Sequence, residues 1–142
     1  MKTKLATSLV ILSLVTACNF SVSNDQITVA VSVGTGATLQ YAIKDSAKRT
    51  IIANYVQYIA TVVRTVTGSP TPAQLTNLIG NSVPASVKAN YPELLTLVSP
   101  LIVSSYQLAF DKYGADAKKL YPVLNAIAVG LENGSAPYVS HG

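Results

Sequence analysis

Apolar positions recur along this chain at helical spacing almost throughout. The clearest stripe is Ile51, Ile52, Tyr55, Val56, Ile59, Val62, Val63 and Val66, stepping by three and four residues, while Lys48, Asn54, Gln57, Thr61 and Arg64 fall largely on other faces. Asp45 or Ser46 caps the start of this helix and Gly68 supplies a stop. Ser69-Pro70 then breaks the chain, and Thr71-Pro72-Ala73-Gln74 restarts it. Threonine as N-cap, proline at the first helical position and glutamine three residues after the cap form a capping-box start. Leu75, Leu78 and Ile79 give that short helix its buried side, and Gly80 ends it. Residues 81–89 form a connector around Pro84 with room for one helical turn.

Pro92 and Glu93 open a longer helix whose apolar positions include Leu94, Leu95, Leu97, Val98, Leu101, Ile102, Ala109 and Phe110, with Gly114 as its stop. Residues 94–110 carry no charge, but Thr96, Ser99, Pro100, Ser104, Ser105 and Gln107 argue for a core helix bent at Pro100 rather than a membrane span. Asp116 caps a last helix with Leu120, Val123, Leu124, Ile127 and Leu131 on one face. Pro122 sits near its start and Gly134 terminates it, leaving residues 135–142 as a frayed tail.

Residues 26–44 are the ambiguous stretch. Ile27 to Val33 alternates apolar and polar positions with β-branched residues, as a strand would, whereas Leu39, Ala42 and Ile43 follow a helical step. No second strand is available for pairing, and a lone strand is not stable. The segment is therefore expected to be a helix, loosened around Gly34-Thr35-Gly36. That GTG lacks the third glycine of a dinucleotide fingerprint, and close helix packing at small residues is the better use for it. The sum is an all-α fold, a small bundle of about five helices over residues 26–134.

The first 18 residues follow another logic. Lys2 and Lys4 form a basic head, residues 5–15 are mostly apolar, and Val15-Thr16-Ala17-Cys18 closes the run. Basic head, apolar run and small-residue exit make a secretory signal. The tetrapeptide VTAC resembles the bacterial lipobox, and the resemblance implies that residues 1–17 are removed and that Cys18 becomes the first residue, carrying a diacylglycerol and an N-acyl chain. Cys18 is the sole cysteine, so no intramolecular disulfide can form, and lipidation explains an odd exported thiol. An ordinary signal is the alternative, since Val15 and Ala17 also suit the standard peptidase. An uncleaved anchor fails on length: residues 5–17 hold two Thr and two Ser, and a spanning helix needs about 20 apolar residues. Residues 18–25 then serve as lipidated N-terminus and short tether. Asn19, after the cysteine, is similar to the outer-membrane class of Gram-negative lipoproteins, which implies the periplasmic face of that membrane.

Composition adds exclusions. The chain is 49% hydrophobic and only 11% charged, well under the usual quarter. Its formal charge of +4 includes Lys2 and Lys4; without them eight basic side chains face six acidic ones, spread along the chain. Nucleic-acid binding needs a concentrated basic footprint, so it is not expected. His141 is the only histidine and lies beside the C-terminus, and with Cys18 acylated no thiolate remains for a metal. The acids Asp25, Asp45, Glu93, Asp111, Asp116 and Glu132 are scattered, and there is no GxSxG elbow. An enzyme is not expected, nor any cofactor beyond the acyl chains.

Eight tyrosines without tryptophan stand out. Tyrosine is enriched at protein interfaces and at membrane–water boundaries, and Tyr55, Tyr58, Tyr106 and Tyr113 are the candidate interaction residues. The two-helix, Thr/Pro-capped break and two-helix layout loosely resembles small helical proteins of unknown role in proteobacterial and phage genomes. The expectation is an anchored envelope lipoprotein that binds a partner protein without catalysis, a phage exclusion factor being one form. The alternative is a carrier enclosing a small apolar ligand or lipid between its helices.

Overall fold

The computed structural model describes residues 23–140, which fold as six α-helices with no strand among them. These are α1 (Asn24–Ala37), α2 (Ser46–Arg64), α3 (Pro72–Ser82), α4 (Ala85–Asn90), α5 (Pro92–Tyr113) and α6 (Ala117–Ser135). A π-helical turn, Thr38–Ala42, continues α1, and a 3-10 turn, Ala136–Tyr138, follows α6. The all-α bundle is as expected. The sixth helix is α4, in the stretch read as a connector.

Local chemistry sets most helix starts. Asp45 accepts from the backbone N–H groups of Ala47 and Lys48 at 2.9 and 3.1 Å, and Asp116 does the same for Lys118 and Lys119 at 3.1 and 3.4 Å. Thr71 and Gln74 exchange both bonds of a capping box. Ser23 and Gln26 form a second such box, so α1 begins at Asn24, inside the segment expected to be tether. Gly114 stops α5 at φ 63°, a left-handed conformation that glycine adopts without steric cost.

Three other glycines do not end helices as expected. Helix α2 stops earlier, at Arg64, and Gly68 takes its positive φ of 76° in the turn that follows. Helix α3 runs past Gly80 to Ser82, and α6 runs past Gly134. Nor does α1 loosen at Gly34-Thr35-Gly36; the irregularity comes just after, in the π-helical turn. The wider turn keeps both Leu39 and Ile43 buried, and Arg49 closes it. Its Nε donates to the Leu39 and Ile43 carbonyls at 2.7 and 3.0 Å, its Nη2 to Ile43 at 2.7 Å, and the guanidinium lies 5.7 Å from the Tyr138 ring. A cation at a helix C-terminus meets carbonyls that lack intrahelical partners.

Helix α6 is the centre of the bundle, packed against α1, α2 and α5. Thr28 donates to the Ala126 carbonyl at 3.0 Å and Gly36 faces Gly134, so α1 and α6 run parallel with a constant offset in numbering. Ala126, Gly130 and Gly134 repeat every four residues and form a seam with almost no side chain in it. A Cβ on Gly130 would stand 2.7 Å from both the Thr28 carbonyl oxygen and the Val31 Cβ; one on Gly134 would collide with the Ser32 carbonyl and Thr35. Thr35 is fully buried in this seam, and among the described residues its hydroxyl has no hydrogen-bond partner.

Helix α5 is the one helix among the described residues long and apolar enough to cross a membrane by length and composition. Leu94, Leu97, Val98, Leu101, Ile102 and Ala109 nevertheless point into the bundle and are buried, as a core helix requires. Pro100 stays on the exposed side, as does Thr96, whose carbonyl loses its helical donor there and faces water. Residues 135–140 are not a frayed tail. Ser135 is buried, Tyr138 and Val139 pack on the core, and Ser140 exchanges two hydrogen bonds with Asn54, each 3.2 Å. His141 lies outside the described residues.

Candidate interaction surfaces

The four singled-out tyrosines do not share a surface. Tyr55 is half-buried against the core, and Tyr58, on the same helix, is 47% exposed. Tyr106 is fully buried, which removes it from any interaction surface. It lies on the same face of α5 as Val98 and Ile102, and its hydroxyl donates to the Pro70 carbonyl at 2.6 Å, tying α5 to the turn before α3. Burial holds the Tyr106 phenol above its ordinary pKa. Tyr113 is half-buried at the end of α5, with the ammonium groups of Lys112 and Lys119 5.3 and 5.4 Å from its ring centre. Cys18 lies outside the described residues.

Two tyrosines outside that set are more exposed, Tyr41 on the π-helical turn and Tyr121 on α6. Tyr121 belongs to a seam where α2 and α6 run antiparallel. Gln57 there donates to the Glu132 carbonyl and the Ser135 hydroxyl at 3.0 and 2.7 Å, and Arg64 binds both carboxylate oxygens of Glu132. Arg64 Nε also reaches Asn125 at 3.4 Å. The hydrogen-bonded Glu132 carboxylate holds the guanidinium pKa above its ordinary value despite some desolvation, and Tyr121 adds to the effect. An exposed tyrosine beside an oriented arginine has the side-chain make-up of a protein-binding hot spot. The sequence signal for Tyr121 was its place off the apolar stripe of α6, Leu120, Val123, Leu124, Ile127 and Leu131, all of which are buried.

A surface groove of about 500 Å³ opens between the turn after α2 and α3, lined by Thr67, Ser69, Pro70, Gln74, Asn77, Leu78 and Asn81. Its walls mix amides and hydroxyls with the apolar surface of Pro70 and Leu78. Along α1, Val29 and Val33 are 61% and 54% exposed, one turn apart on the outward face.

The carboxylates are occupied structurally. Asp45 and Asp116 cap helices, Glu93 pairs with Lys48, Glu132 with Arg64, and Asp111 accepts from Gln107 at 2.6 Å. Asp25 stands in the first turn of α1, where a negative charge suits the helix dipole. Among the described residues no three His, Cys, Asp or Glu side chains are grouped to hold a metal ion. The chain matches no protein-family model, no curated protein and no solved structure.

Proposed function

We propose that this chain is a lipid-anchored protein of a bacterial cell envelope that acts by binding a partner protein, without chemistry of its own. The observation that carries the reading is Val15-Thr16-Ala17-Cys18 directly behind the basic head and apolar run, with Cys18 the only cysteine of the chain. Acylation at Cys18 attaches the domain through more than one chain, and each buried methylene contributes about 0.8 kcal/mol, so the attachment is effectively permanent. Five residues further on, Ser23 caps α1. The domain therefore sits close to the bilayer, in a Gram-negative host on the periplasmic face of the outer membrane, as Asn19 suggests.

The α2–α6 seam, with Arg64 and Tyr121, supports a protein partner. The carrier reading gains little from the groove beside α3, which is open to solvent and of mixed polarity where an apolar ligand would need an enclosed apolar wall. Intact mass of the protein from host membranes tests the anchor. The expected product starts at Cys18 and carries acyl mass that Cys18→Ser abolishes; a mature protein of unmodified mass would remove the anchor from the proposal. Crosslinking in the same membranes tests the partner. Arg64→Ala with Tyr121→Ala should lose a crosslinked neighbour that Leu78→Ala retains.

A further inference from the structure

We propose that the outward face of α1 is a lipid-docking surface that rests on the membrane to which Cys18 is anchored. The inference deepens the anchored-lipoprotein reading and rests on it. Helix α1 carries apolar residues on both sides, and the outer one has an exposed glutamine near each end of the helix and its π-helical turn, Gln26 and Gln40. Ile27, Val31 and Gly34 are buried inside the bundle, while Gln26, Val29, Ala30, Val33 and Ala37 form the outer side, of which Val29 and Val33 are well exposed. A helix that is hydrophobic all round is normally covered on all sides. The outward faces of α2 and α6 mix exposed Tyr58 and Tyr121 with Asn54, Thr61, Lys118 and Asn125. No charged residue occurs from Gln26 to Ile43; Asp25 stands at one end of the stretch and Lys44 at the other.

Chain length selects the occupant. Ser23 is five residues from Cys18, so the start of α1 can stand no more than about 18 Å from the acylated residue. That tether keeps the start of α1 within reach of the bilayer, the one apolar phase always close to it. Tyr41 closes the far end, 60% exposed, and tyrosine suits the headgroup level because its ring is apolar and its hydroxyl wet. From Asn24 to Ala42 the helix is about 27 Å long at 1.5 Å per residue. Interfacial helices sink such a face about 5–10 Å into the headgroup–acyl boundary. The membrane would then cover α1 and leave the α2–α6 seam to a protein partner.

The absence of tryptophan makes the test clean. Acylated full-length protein bearing Val33→Trp, or Tyr58→Trp on α2, is reconstituted into phosphatidylethanolamine–phosphatidylglycerol vesicles, with intact mass and far-UV circular dichroism taken on each sample. The expected result is blue-shifted Val33→Trp emission, quenched by acyl-brominated lipid at least about twofold more than Tyr58→Trp, as an interfacial depth requires. Val29→Trp reads the same face should Val33→Trp fold poorly. Acylated protein whose Val33→Trp and Val29→Trp stay as wet as Tyr58→Trp overturns the docking face and leaves the anchor standing. Shielding without bromine quenching, lost on diluting the protein into more lipid, would mean a second copy covers α1 and also overturns it. A sample with no acyl mass removes the anchor and the inference together.

Discussion

The two sides of α6 hold the bundle together in opposite ways. Against α1, Ala126, Gly130 and Gly134 remove side chains so that the two backbones approach, and a hydroxyl–carbonyl bond from Thr28 crosses the gap. Near α5, the interior is filled by large residues such as Leu94, Ile102, Tyr106, Leu120 and Leu124, all fully or almost fully buried. One contact fails when atoms are added, the other when they are taken away. The difference follows from packing density: an interior at crystal-like density has no slack in either direction.

The largest expected effect is on the filled side. Ile102→Ala should destabilise by about 2–5 kcal/mol, the transfer loss plus an unfilled cavity, measured by chemical denaturation. Next comes Gly134→Ala on the seam, expected to cost about 1–3 kcal/mol because the new Cβ meets the Ser32 backbone, which cannot rotate away. Gly80→Ala is the matched control. Its Cβ would meet nothing within 4 Å, so it should stabilise by about 0.5–1 kcal/mol through helix propensity alone. Equal values for Gly134→Ala and Gly80→Ala would break the comparison, since the seam would then have room to spare.

The smallest expected destabilisation is Tyr106→Phe, about 1 kcal/mol at neutral pH from the lost bond to Pro70. Its pH dependence sharpens the picture of the filled side. The buried phenol has a folded pKa above its ordinary value of 10.0, so its contribution is complete below about pH 10 and declines as pH rises through the folded value. Wild-type stability should therefore drop more steeply above pH 10 than that of Tyr106→Phe. Parallel alkaline profiles would show that Tyr106 is not the group responsible.

The helix starts were legible because capping is local. Asp45, Thr71 with Gln74, and Asp116 each act on backbone within three residues, and all three work as their spacing suggests. Ser23-x-x-Gln26 is the same signal, hidden in a polar run that reads equally well as tether. The glycines were less legible. Gly114 needs its positive φ and stops a helix, while Gly134 lies inside one, and only the presence of α1 across from it separates the two. The tyrosines behaved likewise. Tyr106 and Tyr121 are the same residue on two amphipathic helices, yet one is sealed under the turn before α3 and the other stands open beside Arg64.

By itself the sequence determined the all-helical class, most helix starts and the placement of the long apolar helix in a core. These rest on apolar periodicity and on contacts between residues a turn or less apart. The tertiary structure alone decided that α1 and α6 run parallel through a glycine seam, that Arg49 closes a π-helical turn, and which tyrosines meet solvent. Contacts such as Thr28 with Ala126 join residues 98 positions apart. No local preference encodes such a pairing; it follows from which apolar faces can be buried together at close-packed density.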